Sequence, residues 1–215
     1  MTEQIKKLME NIKRNNMQPF YAENSAEAVA IVRSLLKKGD VISCGGSETL
    51  KQSKVMDLMR SGDYNFLDRT LAKTPDEIMG VYVRTFGADS YLTSFNAITE
   101  QGFLYNVDGN SNRIAAIAFG PKSVIAIVGI NKLVKDLNEA ELRVKKIAAP
   151  KNTMRLQKNT YCQSKGECVS LLEDDCEICS GCSSEDRICC NYLISAYQKN
   201  KNRIKVIIVN ENLGY

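Results

Sequence analysis

Apolar residues recur along the chain at two spacings, which predict an alternation of helices and strands. Residues 25–37 carry an apolar stripe at helical spacing, with Ser25 placed to cap the helix. The tetrad Thr74-Pro75-Asp76-Glu77 has the composition of a capping box and predicts a helix that ends near Gly87. Residues 139–147 show the same helical spacing and predict another helix.

Short apolar runs lie between these helical segments and have the length of buried strands. They occupy residues 40–44, 90–93, 123–128 and 204–209. Strands that alternate with helices predict an α/β fold with a doubly wound, mostly parallel sheet. We therefore expect one domain over residues 1–215, with a cysteine-rich insertion at residues 160–192 before its last strand. Ligand-binding loops are expected at the carboxyl ends of the strands.

The composition is that of a globular protein without a strong charge preference. Of 215 residues, 44% are hydrophobic and 25% are charged, and the net charge is +4. We interpret the densest basic stretch, residues 199–205, as a solvated face and expect no nucleic-acid partner. No apolar run approaches the roughly 18 residues of a membrane span, and the amphipathic N-terminus lacks the features of a signal peptide. The sequence therefore predicts a cytoplasmic protein with no membrane partner.

Two residue counts narrow the chemistry further. The chain has no histidine, which excludes serine–histidine and cysteine–histidine catalytic pairs and every metal site that uses histidine. Acid–base chemistry must then fall to Asp, Glu, Lys, Tyr or Cys. The chain also has eight cysteines, and in a reducing cytoplasm clustered cysteines bind metal or act in redox chemistry more often than they form disulfides.

A glycine-rich turn follows the first apolar strand. Its residues are Gly45, Gly46, Ser47, Glu48 and Thr49. Glycines let backbone N–H groups approach a ligand closely, and the two hydroxyls can donate hydrogen bonds, so an anionic small molecule is the natural ligand. The alternative is a connecting turn in which Ser47 is an ordinary helix cap. Both interpretations remain open at this point.

The middle of the chain supplies further polar residues in three loops. Candidate ligand-binding side chains there are Asn96, Thr99, Asn112, Arg113 and Lys122. Glu48 and Glu100 are the carboxylates that we consider first as general base or nucleophile. Helix capping or simple solvation is the alternative for each of these glutamates.

Asp108-Gly109 in the same region has the composition of a tight hairpin turn. We favour a hairpin that joins residues 103–107 to residues 114–117, over a contribution of this dipeptide to a pocket.

Several motifs resemble the lactate-utilisation (LUD) family. They are GGSETL at residues 45–50, the run TSFNAITEQGFLYNVDGNSNRIAAIAFGPKSVIAIVGINKLV at residues 93–134, and ENLGY at residues 211–215. The resemblance implies a fold like that of ribose-5-phosphate isomerase, glucosamine-6-phosphate deaminase and the CoA transferases, in which the loop after the first strand binds phosphate or substrate. The family name comes from members needed to oxidise lactate to pyruvate alongside iron–sulfur proteins, which are therefore expected partners.

Seven cysteines fall between residues 162 and 190. The C-x2-C-x2-C stretch at residues 176–182 resembles ferredoxin-type cluster binding, although no proline follows the later cysteines, and thiolate ligation equally suits zinc. Short LUD proteins are similar in carrying KGEC followed by GCSSEDRIC; here residues 169–180 separate the two parts. Because of this separation, either Cys168 or Cys179 corresponds to the cysteine of KGEC in those family members. The candidate ligands are Cys162, Cys168, Cys179, Cys182 and Cys189.

Free thiols or disulfides remain the alternative to a metal or an iron–sulfur cluster in this block. Cys44 stands apart at the end of an apolar strand and is predicted to be a small core residue.

Three functions are compatible with these features. The first is a redox-linked protein of lactate or related organic-acid utilisation that carries a cysteine-ligated metal or iron–sulfur cluster. The second is an isomerase-like or CoA transferase-like enzyme that acts on an anionic small molecule. The third is a non-catalytic binding module in which zinc stabilises the insertion. Each of the three functions is compatible with a homo-oligomer.

Overall fold

The main sheet is parallel and lies at the centre of the fold. The computed structural model describes residues 1–172 and 177–215. Within these residues the strands of the main sheet follow the spatial order β1 (Gln18–Ala22), β10 (Ile204–Val209), β7 (Ser123–Gly129), β4 (Ser90–Thr93), β2 (Val41–Cys44) and β3 (Asn65–Leu67). Every neighbouring pair in this order is parallel. The predicted α/β fold with a mostly parallel sheet is therefore confirmed.

Helices cover both faces of this sheet. The helices of the described residues are α1 (Glu3–Arg14), α2 (Ser25–Leu35), α3 (Glu48–Gln52), α4 (Val55–Met59), α5 (Pro75–Thr85), α6 (Asn112–Ala118), α7 (Leu137–Arg143), α8 (Ala149–Leu156) and α9 (Tyr161–Lys165). Helix α1 packs its apolar stripe into the core on one face, together with α6, whereas α2 and α4 pack on the other face. The predicted capping box at the start of α5 is present, with Thr74 and Glu77 bonded reciprocally to the backbone.

A π-helical turn, Val144–Ala148, joins α7 to α8 and makes one continuous helical segment. Pro150 is the second residue after this turn and has no N–H to donate to the preceding turn, which favours the wider hydrogen-bonding pattern. Short 3-10 turns occur at Arg69–Leu71, Ile130–Lys132 and Val169–Leu172. In the described parts of the chain, no helix is both long and apolar enough to cross a membrane.

A second, smaller sheet corrects the hairpin prediction. Its strands within the described residues follow the order β8 (Leu133–Val134), β5 (Ala97–Thr99), β6 (Leu104–Asp108) and β9 (Asn191–Ser195). Strand β6 pairs with β5 on one side and with β9 on the other, both antiparallel. The predicted hairpin partner, residues 114–117, lies in α6 instead, so the prediction was wrong. Strand β5, which precedes β6, occupies one edge of β6, and β9, which comes much later in the chain, occupies the other. No edge of β6 is therefore left for residues 114–117.

The strand order also fixes where a ligand site can form. From β2 the chain proceeds to β3 on one side, whereas from β4 it proceeds towards β7 and β10 on the other side. The carboxyl ends of β2 and β4 are therefore neighbours at a point where the direction of winding reverses. In open α/β sheets, ligands bind in the crevice at such a point.

Candidate functional site

A cavity of about 460 Å³ opens at this switch point. The loop that follows β2 and the loop that follows β4, residues 45–49 and 93–96, form part of its wall. Lys132 after β7, the end of β6 and helix α8 complete it, together with the side chain of Tyr215. The cavity is therefore built from segments that meet only in the folded chain.

The walls of the cavity carry more positive than negative side chains. Among the described residues that line it, the cationic ones are Arg69, Arg113, Lys132, Arg155, Lys158 and Arg187, and the carboxylates are Glu48, Asp108, Glu185 and Asp186. Several carboxylates are engaged locally: Asp186 accepts from Lys158 at 2.8 Å, and Glu48 accepts from Lys51 at 3.0 Å. Within the described part of the chain, Arg69 and Lys132 form no ion pair; their hydrogen bonds go to hydroxyl groups.

Two guanidinium groups flank the glycine-rich turn. A Cβ atom added at Gly46 would lie 3.7 Å from Arg69 Nη2 and 3.9 Å from Arg155 Nη2. Tyr82 Oη accepts a hydrogen bond from Arg69 Nη1 at 2.6 Å, and Tyr215 Oη accepts from Arg155 Nε at 2.7 Å. The two arginines are therefore held beside the exposed backbone of the turn. This is an arrangement that suits a carboxylate or a phosphate.

Lys132 is the most perturbed group of the cavity. Its side chain is only 3% exposed, and its Nζ donates to Thr49 Oγ1 at 2.9 Å and to Ser94 Oγ at 3.1 Å. Burial, together with the positive charges of Arg143 and Arg113, lowers the pKa of Lys132 from 10.5 to about 7. A lysine with this pKa supplies a neutral amine near neutral pH, which can act as a base or a nucleophile.

Sequence reasoning missed Lys132. The available signal was a lysine set among apolar residues in GINKLV, directly after a fully buried strand. Arg143 was missed as well. It donates to the carbonyl oxygens of Asn131 at 3.1 Å and Asn96 at 2.6 Å, and burial lowers its pKa to about 10.

Arg113 lines the cavity and holds the neighbouring loops together through hydrogen bonds. Its guanidinium donates to Asn106 Oδ1 at 2.5 Å, to the Val107 carbonyl at 2.6 Å and to Asn96 Oδ1 at 3.1 Å. Its Nε lies 3.6 Å from Asp108 Oδ2. Because these partners take up most of its donors, Arg113 fixes the loops after β4 and β6 in place more than it offers free donors to a ligand.

Most of the binding residues predicted from the sequence, and one of the two predicted catalytic glutamates, Glu48, line this cavity. They are Gly45, Gly46, Ser47, Glu48, Thr49, Asn96, Asn112 and Arg113. Ser47 is also the N-cap of α3, where its side chain accepts from the Leu50 N–H at 3.2 Å. The capping role considered for Ser47 is thus realised in a loop that also borders the cavity.

The structure places three other candidates elsewhere. Thr99 is buried in β5, where its hydroxyl accepts from the Phe103 N–H at 3.2 Å. Glu100 is exposed beside α1 and accepts from Gln4 Nε2 at 3.2 Å. Lys122 pairs with Asp89 at 2.8 Å. These two residues directly precede β7 and β4, so they lie at the amino ends of the strands, opposite the cavity. These residues are not brought to the cavity.

Comparison with known proteins identifies the family. The family model described as the LUD domain matches residues 5–209. The chain belongs to the LUD-domain family. A solved structure of a DUF162 family protein from Deinococcus radiodurans has a similar fold, with a TM-score of 0.52, 15% identity and coverage of 96% of each chain. No curated protein matches the chain significantly.

The cysteine-rich segment of this LUD domain folds against the π-helical turn and α8. Of its described cysteines, Cys162, Cys168, Cys182 and Cys189 line a second void of about 20 Å³. Cys179 and Cys190 are exposed, and Cys176 lies outside the described residues. Within residues 1–172 and 177–215, no three or more Cys, Asp or Glu side chains are grouped closely enough to hold a metal ion.

Cys44, at the end of β2, packs against the core beside α2 and α4. Burial raises the pKa of its thiol to about 12, so it remains protonated and unreactive at neutral pH.

Proposed function

We propose that this LUD-domain protein binds an anionic small molecule of the organic-acid class, lactate or a related acid, in the cavity at the carboxyl ends of the strands. One observation carries the proposal: Arg69 lines a cavity at the switch point of the sheet without a carboxylate partner in the described residues. Charged groups are costly to bury unpaired, and an anionic ligand would compensate them.

The residues of the cavity have distinct roles in this proposal. Arg69 and Arg155, on either side of Gly46, bind the anionic group of the ligand. Lys132 lies among the hydroxyls of Thr49 and Ser94 and meets the uncharged end of the ligand. Glu48 is occupied by Lys51, and its second contact, Arg155 at 3.7 Å, makes it a positioning group for that arginine.

A redox-linked role in a cytoplasmic setting is the second part of the proposal. The cysteine-rich segment binds a metal ion or an iron–sulfur cluster, and iron–sulfur proteins are the expected redox partners. Support comes from the close spacing of the cysteines in the sequence and from the four of them that line one small void. Elemental and sulfide analysis of anaerobically purified protein tests this part, and size-exclusion chromatography establishes whether it acts as a homo-oligomer.

Lys132 favours one alternative, an isomerase-like or CoA transferase-like enzyme. A buried lysine whose amine is neutral near pH 7 is suited to proton transfer or to attack on a carbonyl group. Turnover of a sugar phosphate or an acyl-CoA that is lost in Lys132→Met would support the enzyme over a binding role.

Calorimetric titration with lactate, pyruvate, ribose 5-phosphate and acetyl-CoA tests the anion site. Arg69→Gln and Arg155→Gln should each raise the Kd of the bound acid about tenfold, because each removes a charge-assisted hydrogen bond worth about 1.4 kcal/mol. Arg33→Gln, an exposed arginine of α2, is the matched control and should leave the Kd unchanged. Equal affinity in all variants, or no binding of any of these acids at millimolar concentration, would contradict the proposal.

A further inference from the structure

Lys132 lies in the short turn that follows β7, and it lines the cavity. A buried lysine that serves only the packing of a fold is ordinarily paired with a carboxylate. In the described part of the chain, the amine of Lys132 bonds to two hydroxyl groups instead, and the charges that act on it are the positive ones of Arg143 and Arg113. These surroundings favour a neutral amine at a ligand site over a structural ion pair.

Two hydrogen bonds orient this amine. Lys132 Nζ donates to Thr49 Oγ1 at 2.9 Å and to Ser94 Oγ at 3.1 Å. The Thr49 hydroxyl donates its own proton to the Leu213 carbonyl at 3.3 Å, so its oxygen accepts from the amine. A neutral amine has two N–H groups and one lone pair. Because both N–H groups are directed at hydroxyl oxygens, the lone pair has no partner among the described residues and is available for attack on a ligand.

The backbone of Gly214 passes directly beside the amine. A Cβ atom added at Gly214, where φ is +62°, would collide with Thr49 Oγ1 and lie 3.4 Å from Lys132 Nζ. Gln52 Oε1 accepts from the Gly214 N–H at 2.6 Å, and the Gly214 carbonyl accepts from Asn131 Nδ2 at 3.2 Å. The backbone is therefore fixed against the amine and keeps water away from it. Exclusion of water favours the neutral amine and slows the hydrolysis of a bond formed there.

The glycine-rich turn connects the amine to the side of the cavity that suits a carboxylate. Gly46 lies between the guanidinium groups of Arg69 and Arg155, and Thr49 of the same turn holds Lys132. An acid whose carboxylate binds the two arginines is therefore expected to have its adjoining carbon atom near the amine. In a 2-oxo acid that atom is a carbonyl carbon, which an amine can attack, whereas in a 2-hydroxy acid it is not electrophilic.

We infer that Lys132 forms an imine with the carbonyl group of a 2-oxo acid. This rests on the organic-acid site proposed above and names the class of acid that reacts there. The lone pair of the amine adds to the carbonyl carbon, and a proton moves from nitrogen to oxygen. The carbinolamine then loses one water molecule, so that a C=N bond replaces the C=O bond. Burial lowers the pKa of Lys132 to about 7, which makes the attacking neutral amine available at neutral pH.

Reductive trapping of the full-length protein tests this inference. The protein is incubated with pyruvate and sodium cyanoborohydride at neutral pH, and the modified lysines are located by peptide mapping with mass spectrometry. We expect one N-carboxyethyl group per chain, on Lys132, and none when lactate replaces pyruvate. Lys122 is the internal control, because it is exposed and Asp89 raises its pKa; it should be modified at least about tenfold less than Lys132.

Variants test the roles of the two ends of the site. Lys132→Met should reduce the incorporation of pyruvate to the background of the exposed lysines. Arg69→Gln should slow the modification of Lys132 about tenfold at low pyruvate concentration, because it removes a charge-assisted hydrogen bond to the carboxylate. Arg33→Gln, at an exposed arginine of α2, is the matched control and should be modified at the wild-type rate.

Peptide mapping of the wild-type protein keeps the test independent of variants that fold poorly. Pyruvate that binds in calorimetry but leaves Lys132 unmodified would overturn the imine and leave the organic-acid site standing. Modification spread evenly over the exposed lysines, with no preference for Lys132, would overturn the imine as well. Failure of all the tested acids to bind, with no modification of Lys132, would overturn both proposals.

Discussion

The Lys132→Met variant tests quantitatively whether burial lowers the pKa of Lys132. Methionine has a similar length and no charge, so it removes the proton equilibrium of the site and leaves the packing nearly the same. Because the pKa of Lys132 is lowered from 10.5 to about 7, the unfolded chain binds one more proton than the folded chain between these two pH values. The wild-type protein therefore gains stability as pH rises through this window, and the variant lacks that gain.

The size of the effect follows from the same two values. One proton corresponds to about 1.4 kcal/mol per pH unit, so the free energy of unfolding of the wild type should rise relative to the variant by about 5 kcal/mol in total between pH 7 and 10.5. Above 10.5 the difference should be constant, and below 7 it should level off at the value least favourable to the wild type. Loss of the bonds to Thr49 and Ser94 adds a constant of about 1 to 3 kcal/mol that does not change with pH.

Guanidinium chloride unfolding of both proteins at pH 7, 8 and 9 measures this difference, since the titration of all other groups cancels. Lys7→Met, at an exposed lysine of α1, controls for the loss of one surface charge. Parallel stability curves for the wild type and Lys132→Met would refute the reasoning, because they would mean that Lys132 keeps its ordinary pKa when buried.

Other predictions concern stability and the glycine-rich turn. Gly45→Ala should lower the free energy of unfolding by about 1 to 3 kcal/mol and weaken ligand binding, because its Cβ would lie 2.9 Å from Tyr91 Oη. Gly80→Ala is the control: this position in α5 has open space around it, so thermal unfolding should show no change or a gain of up to about 1 kcal/mol. Arg203→Lys should cost about 2 to 4 kcal/mol, because the guanidinium donates to four carbonyl oxygens at the end of α6, and a loss below about 0.5 kcal/mol in urea unfolding would contradict this. Lys145→Met should cost about 3 to 5 kcal/mol in the same assay, because Lys145 lies 3.3 Å from the buried carboxylate of Glu141; an unchanged midpoint would argue against this pair.

Features that depend on neighbours in sequence could be predicted without the structure. The run at residues 204–209 is almost uniformly apolar because both faces of a central parallel strand are buried, and it forms β10 with the predicted bounds. The capping box of α5 lies within one turn of helix, so its residue types identify it directly. Motifs in the sequence also identified the LUD family, which the family model then confirmed.

The hairpin and the cysteine-rich segment show where local patterns are insufficient. Asp108-Gly109 has hairpin composition, but β9, more than 80 residues further along the chain, pairs with β6 and leaves residues 112–118 free to form a helix. Spacing treats Cys168 and Cys179 as equivalent, whereas in the folded chain Cys168 is buried beside the small void and Cys179 is exposed.

The sequence by itself determined several helices and the central strands of the main sheet, the family and the kinds of side chain available for chemistry. Only the tertiary structure decided which of them act together. Lys132 has an ordinary pKa in an unfolded chain. Its pKa is lowered in the folded chain because Thr49 of α3, Arg143 of α7 and Ser94 of the loop after β4 pack close to it and exclude water. Periodicity and capping are encoded by residues a few positions apart, whereas desolvation and convergence of charge arise only when distant segments pack together.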